Sequence, residues 1–316
     1  MLRLQGIFIR GSMVSIKTIE WFKIPEGVRV PIVNRFWGKF LNRIVQEKAR
    51  NLANNHGKLK RLGNDKPEEI VVSMTSFPAR IEYVYLSLSQ LFNQTLPPDK
   101  VELWLAESQF PTHELPSNLL PLIKLGLEVK FCPEDIKGHK KYFYAMRSNP
   151  DALVITFDDD LIYHEKCIEE LYNSYLLHKD CVHCLRGANM VLDNHGDIAT
   201  YGNWRVRFKG DKPMLTIMPS TGAGTLYPPH LLSEEVFNIE KLKRICLTAD
   251  DLWMKTMSLL NGVKVCRVEK NHRPLTTIAG SQTVTLADEN IFKSKNDECI
   301  RNLVNQYPVA FERLKA

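Results

Sequence analysis

Three consecutive carboxylates, Asp158-Asp159-Asp160, follow directly on Leu153-Val154-Ile155-Thr156-Phe157. That apolar, β-branched run of strand length has the pattern of a strand buried on both faces of a parallel sheet. Two charges about 5.5 Å apart at an effective dielectric of 20 repel by about 3 kcal/mol, so something positive must meet the triplet. In open α/β sheets ligands bind outside the carboxyl ends of the strands, and a hard divalent cation with oxygen ligands would relieve the repulsion there. The plainer alternative is a polar turn that caps the helix beginning near His164.

Other stretches carry groups of the same kind. Thr248-Ala249-Asp250-Asp251 opens a helix through residue 260, stopped by Asn261-Gly262; its two carboxylates at least complement the helix dipole. Gly222 and Gly224, around Ala223, allow backbone to approach a ligand closely or simply make a bend. Lys140 and Lys141 begin a helical stretch, and Trp253 could stack on a ligand or sit in the core.

The elements that must position these groups alternate. Strands are expected at 70–74, 101–106, 127–131 and 153–157, with helical spacing at 83–92, 115–125 and 140–147 between them. Such alternation implies crossover units and a largely parallel sheet. Beyond the triplet come a helix over 164–178, strands at 182–185 and 188–192, the helix from Thr248, a strand over 263–268 and a last helix over 297–305. Residues 276–289, with Gly280-Ser281-Gln282, read as a lid.

With 316 residues, 44% hydrophobic and 25% charged, the chain can bury a full core. Residues 1–65 hold 13 Lys or Arg against 4 Asp or Glu, while the rest is net acidic. Within them, residues 34–50 form a basic amphipathic helix that could lie on an anionic membrane surface or pack on the catalytic domain or a partner. Residues 56–69 read as a linker, which divides the chain into a basic helical extension (1–65) and a main domain (66–316). No apolar run is long enough to span a membrane and no secretory signal opens the chain, so a cytoplasmic protein is expected, in peripheral contact with the inner face of the plasma membrane. The seven cysteines are expected to be reduced and buried, and Cys181-Val182-His183-Cys184 lacks the second pair a zinc site needs. No base-reading module accompanies the basic segment, so no nucleic-acid partner is expected.

In order, Ser73-Met74-Thr75-Ser76-Phe77-Pro78-Ala79-Arg80, Lys140-Lys141-Tyr142, Asp158-Asp159-Asp160, Gly222-Ala223-Gly224 and Asp250-Asp251-Leu252-Trp253 resemble bacterial sugar-nucleotide-dependent glycosyltransferases of the GT-A fold, including those that build capsular or lipopolysaccharide chains. The resemblance covers roughly residues 69–272. It implies a GT-A-like, Rossmann-type mixed sheet, largely parallel and flanked by helices. It implies donor contacts at Thr75, Ser76, Phe77 and Arg80, with Lys140 or Lys141 neutralising a diphosphate. Asp158 and Asp159 would face the donor, and Asp158, Asp160 and His272 would hold Mn²⁺ or Mg²⁺. Gly222, Ala223, Gly224 and Trp253 would line the substrate. A sugar hydroxyl is a poor nucleophile at neutral pH, so an inverting transferase sets a carboxylate against it; the resemblance points to Asp251, with Asp250 beside it. Asp-Asp stands where the family more usually has Glu-Asp, and no arginine-rich motif follows, which leaves retention of configuration open.

The reading is therefore a metal-dependent transferase moving a sugar from a UDP-sugar to a glycan or lipid-linked saccharide. The alternatives are a nucleotidyltransferase, disfavoured by the absence of glycine from residues 75–80, and a non-catalytic scaffold that binds membrane or sugar.

Overall fold

The computed structural model describes residues 31–55, 57, 59–204, 212–268, 275–281 and 295–315. The chain divides into two compact units, Met1–Ile44 and Val45–Ala316. Helix α1, Pro31–Asn54, runs across the division, so residues 45–65, which the sequence assigns to the extension, belong to the larger unit. Of the first unit only the helical backbone of 31–44 and the exposed or half-buried residues Asn42, Arg43 and Ile44 are described.

The larger unit is built on a seven-stranded sheet. Its strands are β1 (Ile70–Thr75), β2 (Lys100–Ala106), β3 (Leu127–Cys132), β4 (Leu153–Asp158), β6 (Val182–Cys184), β9 (Ala223–Tyr227) and β10 (Val265–Arg267), in the order β10-β6-β9-β4-β1-β2-β3. The pairs β1/β2, β2/β3, β1/β4 and β6/β10 are parallel; β9 runs antiparallel to both β4 and β6. This is the largely parallel, mixed α/β sheet flanked by helices that the alternating pattern implies. Two small sheets complete it: β5 (Leu161–Ile162) with β11 (Thr276–Thr277), and β7 (Gly187–Asn189) with β8 (Ile217–Pro219).

Helices flank the sheet because its strands are apolar on both faces, with every residue from Ile70 to Met74 buried. Val72, Met74, Leu103, Ile155 and Phe157 pack in a cluster with Val84, Leu88 and Leu91 of α2 (Val84–Leu91) and with Ile168 and Leu171 of α5 (Cys167–Leu177). A second cluster joins Tyr142 and Phe143 of α4 (Lys140–Ser148), Tyr227 of β9, and Leu252, Trp253 and Met257 of α7 (Asp250–Leu260). The short α3 is Leu120–Lys124, and α6 (Ile239–Cys246), α8 (Lys295–Gln306) and α9 (Pro308–Glu312) finish the chain.

Three sequence expectations change. Residues 59–64 are no open linker: Leu59 is buried, the Lys60 amide donates to Phe92 O at 2.8 Å, and the Asp99 carboxylate accepts from the Asn64 side chain and the Ile70 amide. Residues 275–281 are anchored, since Ile278 N donates to Asp160 O at 2.7 Å and Gln46 bonds Thr277 O and Ala279 N; the rest of the expected lid lies outside the described residues. Cys246 and Cys299 form a disulfide with Cα atoms 5.3 Å apart, while the five other cysteines are buried and outside any disulfide. At a sequence separation of 53, spacing alone could not pair those two. Among the described residues no helix is long and apolar enough to cross a membrane.

Candidate functional site

β4 ends at Asp158 because the two residues after it turn back into β5. The Asp158 carboxyl lies on the backbone of Gly222, where a Cβ would meet it at 1.8 Å, so no larger residue fits there. Tyr163 fixes the same corner: its hydroxyl donates to Gly222 O at 2.6 Å and accepts from Asp158 N at 2.8 Å.

The positive charge that the triplet demands is supplied by the protein's own side chains. Lys141, its side chain only 4% exposed, places Nζ 2.7 Å from Asp158 Oδ1 and 2.8 Å from Asp250 Oδ2. Arg80 places one guanidinium nitrogen 2.9 Å from Asp159 Oδ1 and 2.8 Å from Asp160 Oδ2, and Ser76 Oγ donates to Asp159 Oδ2 at 2.6 Å. The Phe77 ring lies under the guanidinium at 5.4 Å, and Thr75 Oγ1 donates to Trp104 O. Burial raises Asp159 to about 6 against the pull of Arg80 and Ser76. Lys141 is held well above the ordinary lysine range, its two carboxylates outweighing its burial.

At the start of α7 the second acidic pair joins this network. Thr221 donates its amide to Asp251 Oδ1 at 2.7 Å, and its hydroxyl contacts both Asp250 Oδ2, at 2.8 Å, and Asp251 Oδ1. A hydroxyl has one proton to donate, so with two carboxylates at that oxygen one of them brings its own. Asp251 is the holder: burial and the neighbouring Asp250 charge raise it to about 7. Asp250 is buried too, yet Lys141 and the Thr221 bond bring it down to about 2. Two adjacent carboxylates thus stand in different ionisation states, the pattern that separates acid and base roles at a site.

His139 ties the lysine-bearing helix to the loop before α7. A carbonyl only accepts, so Nε2–H donates to Cys246 O at 2.9 Å and Nδ1 accepts from Tyr142 OH at 2.8 Å, with burial keeping the ring neutral at about 4. Gly138 lies against the Asp250 carboxyl, at 3.1 Å from a Cβ built on it.

Asp158, Lys141, Asp250 and Asp251 are therefore gathered into one network, and Ser76, Arg80, Asp159 and Asp160 into an adjoining one. Four expected site residues go elsewhere. Lys140 is 2% exposed and paired with Asp135 at 2.6 Å: neighbours on a helix point about 100° apart, so only one of the two lysines can face β4. Trp253 is fully buried, its Nε1 donating to Val236 O, because α7 turns that side inward while Asp251 faces Thr221. Ala223 and Gly224 are interior to β9; Gly224, at φ 97°, is required by packing, since a Cβ would meet the Leu185 side chain at 2.7 Å. Gly222 serves the site from below rather than lining it. His272 lies outside the described residues. Thr221, Tyr163, Gly138 and His139 are the positions that sequence reasoning missed; of these Thr221 stands one residue before the expected glycine segment and His139 one residue before Lys140-Lys141.

The donor chemistry suits a divalent cation. Asp158 and Asp160 offer hard carboxylate oxygens, and the Asp158 side chain is 40% exposed with its Oδ2 outside the Lys141 pair. Among the described residues no three acidic, histidine or cysteine side chains converge as a metal cage.

No protein-family model matches the chain, and no curated protein matches it either. Solved structures with a similar fold include a mannosyltransferase from Pyrobaculum calidifontis in complex with GDP-Man and Mn²⁺ (15% identity, TM-score 0.42, 74% of this chain and 64% of that one). GalNAc-T7 with UDP, GalNAc and Mn²⁺ is another (9%, 0.41, 65% and 43%), and S. aureus TarS a third (13%, 0.41, 64% and 58%). The chain spans less than two thirds of the length of each. The likeness is to glycosyltransferases of the GT-A kind.

Proposed function

We propose that the protein is a metal-dependent glycosyltransferase that moves a sugar from a nucleotide-sugar, a UDP-sugar in the first instance, to a glycan or lipid-linked saccharide, with inversion. The observation that carries this reading is the convergence of the two acidic clusters on Lys141 and Thr221. The sequence resemblance to enzymes of capsule and lipopolysaccharide synthesis supports the same class.

Each group has a task in this reading. Asp158 and Asp160 hold a divalent cation, which when bound supplies a Lewis acid to the departing nucleoside diphosphate. Lys141 and Arg80 lie within reach of the same phosphates and complement their charge. Asp251, once deprotonated, accepts the proton of the acceptor hydroxyl as the oxocarbenium-like centre develops. Asp250 stays charged and holds Lys141. Thr221 orients both carboxylates.

Asp251→Asn tests the assignment. Donor binding measured by calorimetry should be unchanged while transfer falls by about 10²- to 10⁴-fold, the usual worth of a general base. Turnover retained in the variant would move the base elsewhere. Hydrolysis assays across UDP-, GDP- and CMP-sugars identify the donor.

A further inference from the structure

The carboxylates that suit a cation are already engaged by cations of the chain. Lys141 sits on Asp158 and Asp250, and Arg80 on Asp159 and Asp160, each through contacts of 2.7 to 2.9 Å. Both side chains are largely withdrawn from solvent, at 4% and 12% exposure. Four carboxylates face two fixed positive charges, so part of the negative charge that attracts a divalent ion is already cancelled.

An ion taking Asp158 shares that carboxylate with an ammonium and is repelled by it. The two basic groups are also those placed to meet a diphosphate. Phosphate oxygens would relieve both difficulties at once: they give Lys141 and Arg80 a second anionic partner and loosen their hold on the carboxylates.

We propose that Lys141 and Arg80 keep the acidic corner closed to a divalent cation until a nucleoside diphosphate draws them onto its phosphates, so that ion and nucleotide bind as a coupled pair. The inference rests on the functional reading above and adds to it a binding order and a role for Lys141 as positioning residue. Lys141→Met should then strengthen cation binding in the absence of nucleotide, the reverse of what loss of a merely structural lysine would do.

The test is calorimetric titration of the full chain with Mn²⁺ alone, with UDP alone, and with each in the presence of the other; GDP replaces UDP if UDP does not bind. In the natural chain each ligand should tighten the other by the same factor, as linkage requires, and by about tenfold or more. In Lys141→Met the affinity for Mn²⁺ alone should rise by about tenfold and the coupling factor shrink accordingly. Because that change leaves Asp250 buried without its partner, Lys141→Met/Asp250→Asn, which removes both charges together, should give the same tightening. Mn²⁺ binding equally well with and without nucleotide in the natural chain, or unchanged or weaker in both variants, would overturn the proposal. If neither nucleoside diphosphate binds under any condition, the transferase reading fails instead, and the Mn²⁺ titrations of the variants still decide whether Lys141 competes with the ion.

Discussion

Burial and the Asp250 charge raise the Asp251 carboxyl to about 7, so below that pH it is more than half protonated, and only its charged form can accept a proton. Turnover should therefore rise with pH through about 7, and a rate profile flat from pH 5.5 to 8.5 would contradict the role given to Asp251. Lys255, one turn further along α7, has its ammonium buried without a hydrogen-bond partner among the described residues, and burial lowers it to about 7. The unfolded chain binds a proton there up to the ordinary lysine pKa of 10.5, so between about pH 7 and 10.5 the folded state holds fewer protons and this group makes stability rise with pH. Lys255→Met should flatten that rise and stabilise the protein by about 1 to 4 kcal/mol at pH 7 in urea denaturation, since an unpaired buried polar group is costly. At this scale the sequence displayed the carboxylates that the fold gathers on Lys141, Arg80 and Thr221, because a charge triplet after a buried strand stands out. It could not display which lysine of Lys140-Lys141 turns toward them, nor that Thr221 stands between Asp250 and Asp251, since both depend on how separate segments meet.

Among the elements, β4, β9 and α7 do the positioning. β9 runs backward between β4 and β6 and carries Gly222 to the end of β4. Gly222→Ala puts a methyl into the Asp158 carboxyl; the carboxylate must leave Lys141 or β9 must shift. Donor affinity should fall at least about tenfold with a measurable loss of thermal stability, and a crystal structure of the variant with Asp158 in place would refute the steric argument. The first four strands of the main sheet were legible because buried parallel strands read as unbroken apolar runs. β9 was not: Gly222-Ala223-Gly224, where it begins, has the composition of a bend, and its register is set by the neighbours that bury it. The disulfide between α6 and α8 escaped for a similar reason, as two cysteines 53 residues apart carry no local mark of pairing. Its reduction should lower the melting temperature, by the equivalent of about 2 to 4 kcal/mol on the usual scale for a native bridge; an unchanged transition in reductant would show that α8 is held by packing alone.

For the whole molecule, the division at Val45 gives a different boundary from the one composition suggests. Net charge marks the first 65 residues as one basic segment, whereas burial assigns the last twenty or so of them to the larger unit through Leu59, Gln46 and Ala53. A chain beginning at Val45 should therefore unfold cooperatively and bind donor like the full chain while losing affinity for anionic vesicles. Loss of the cooperative transition would show that residues before Val45 are structurally required.

The pairing of Gln46 with Thr277 and Ala279 joins groups more than 230 positions apart. During synthesis the closing turns of α1 emerge more than 230 residues ahead of their partner segment. At roughly 5 to 20 residues per second the buried side of those turns waits on the order of 10 to 50 seconds for its cover. Throughout that interval the nascent chain shows the cell a helix end that no finished molecule displays.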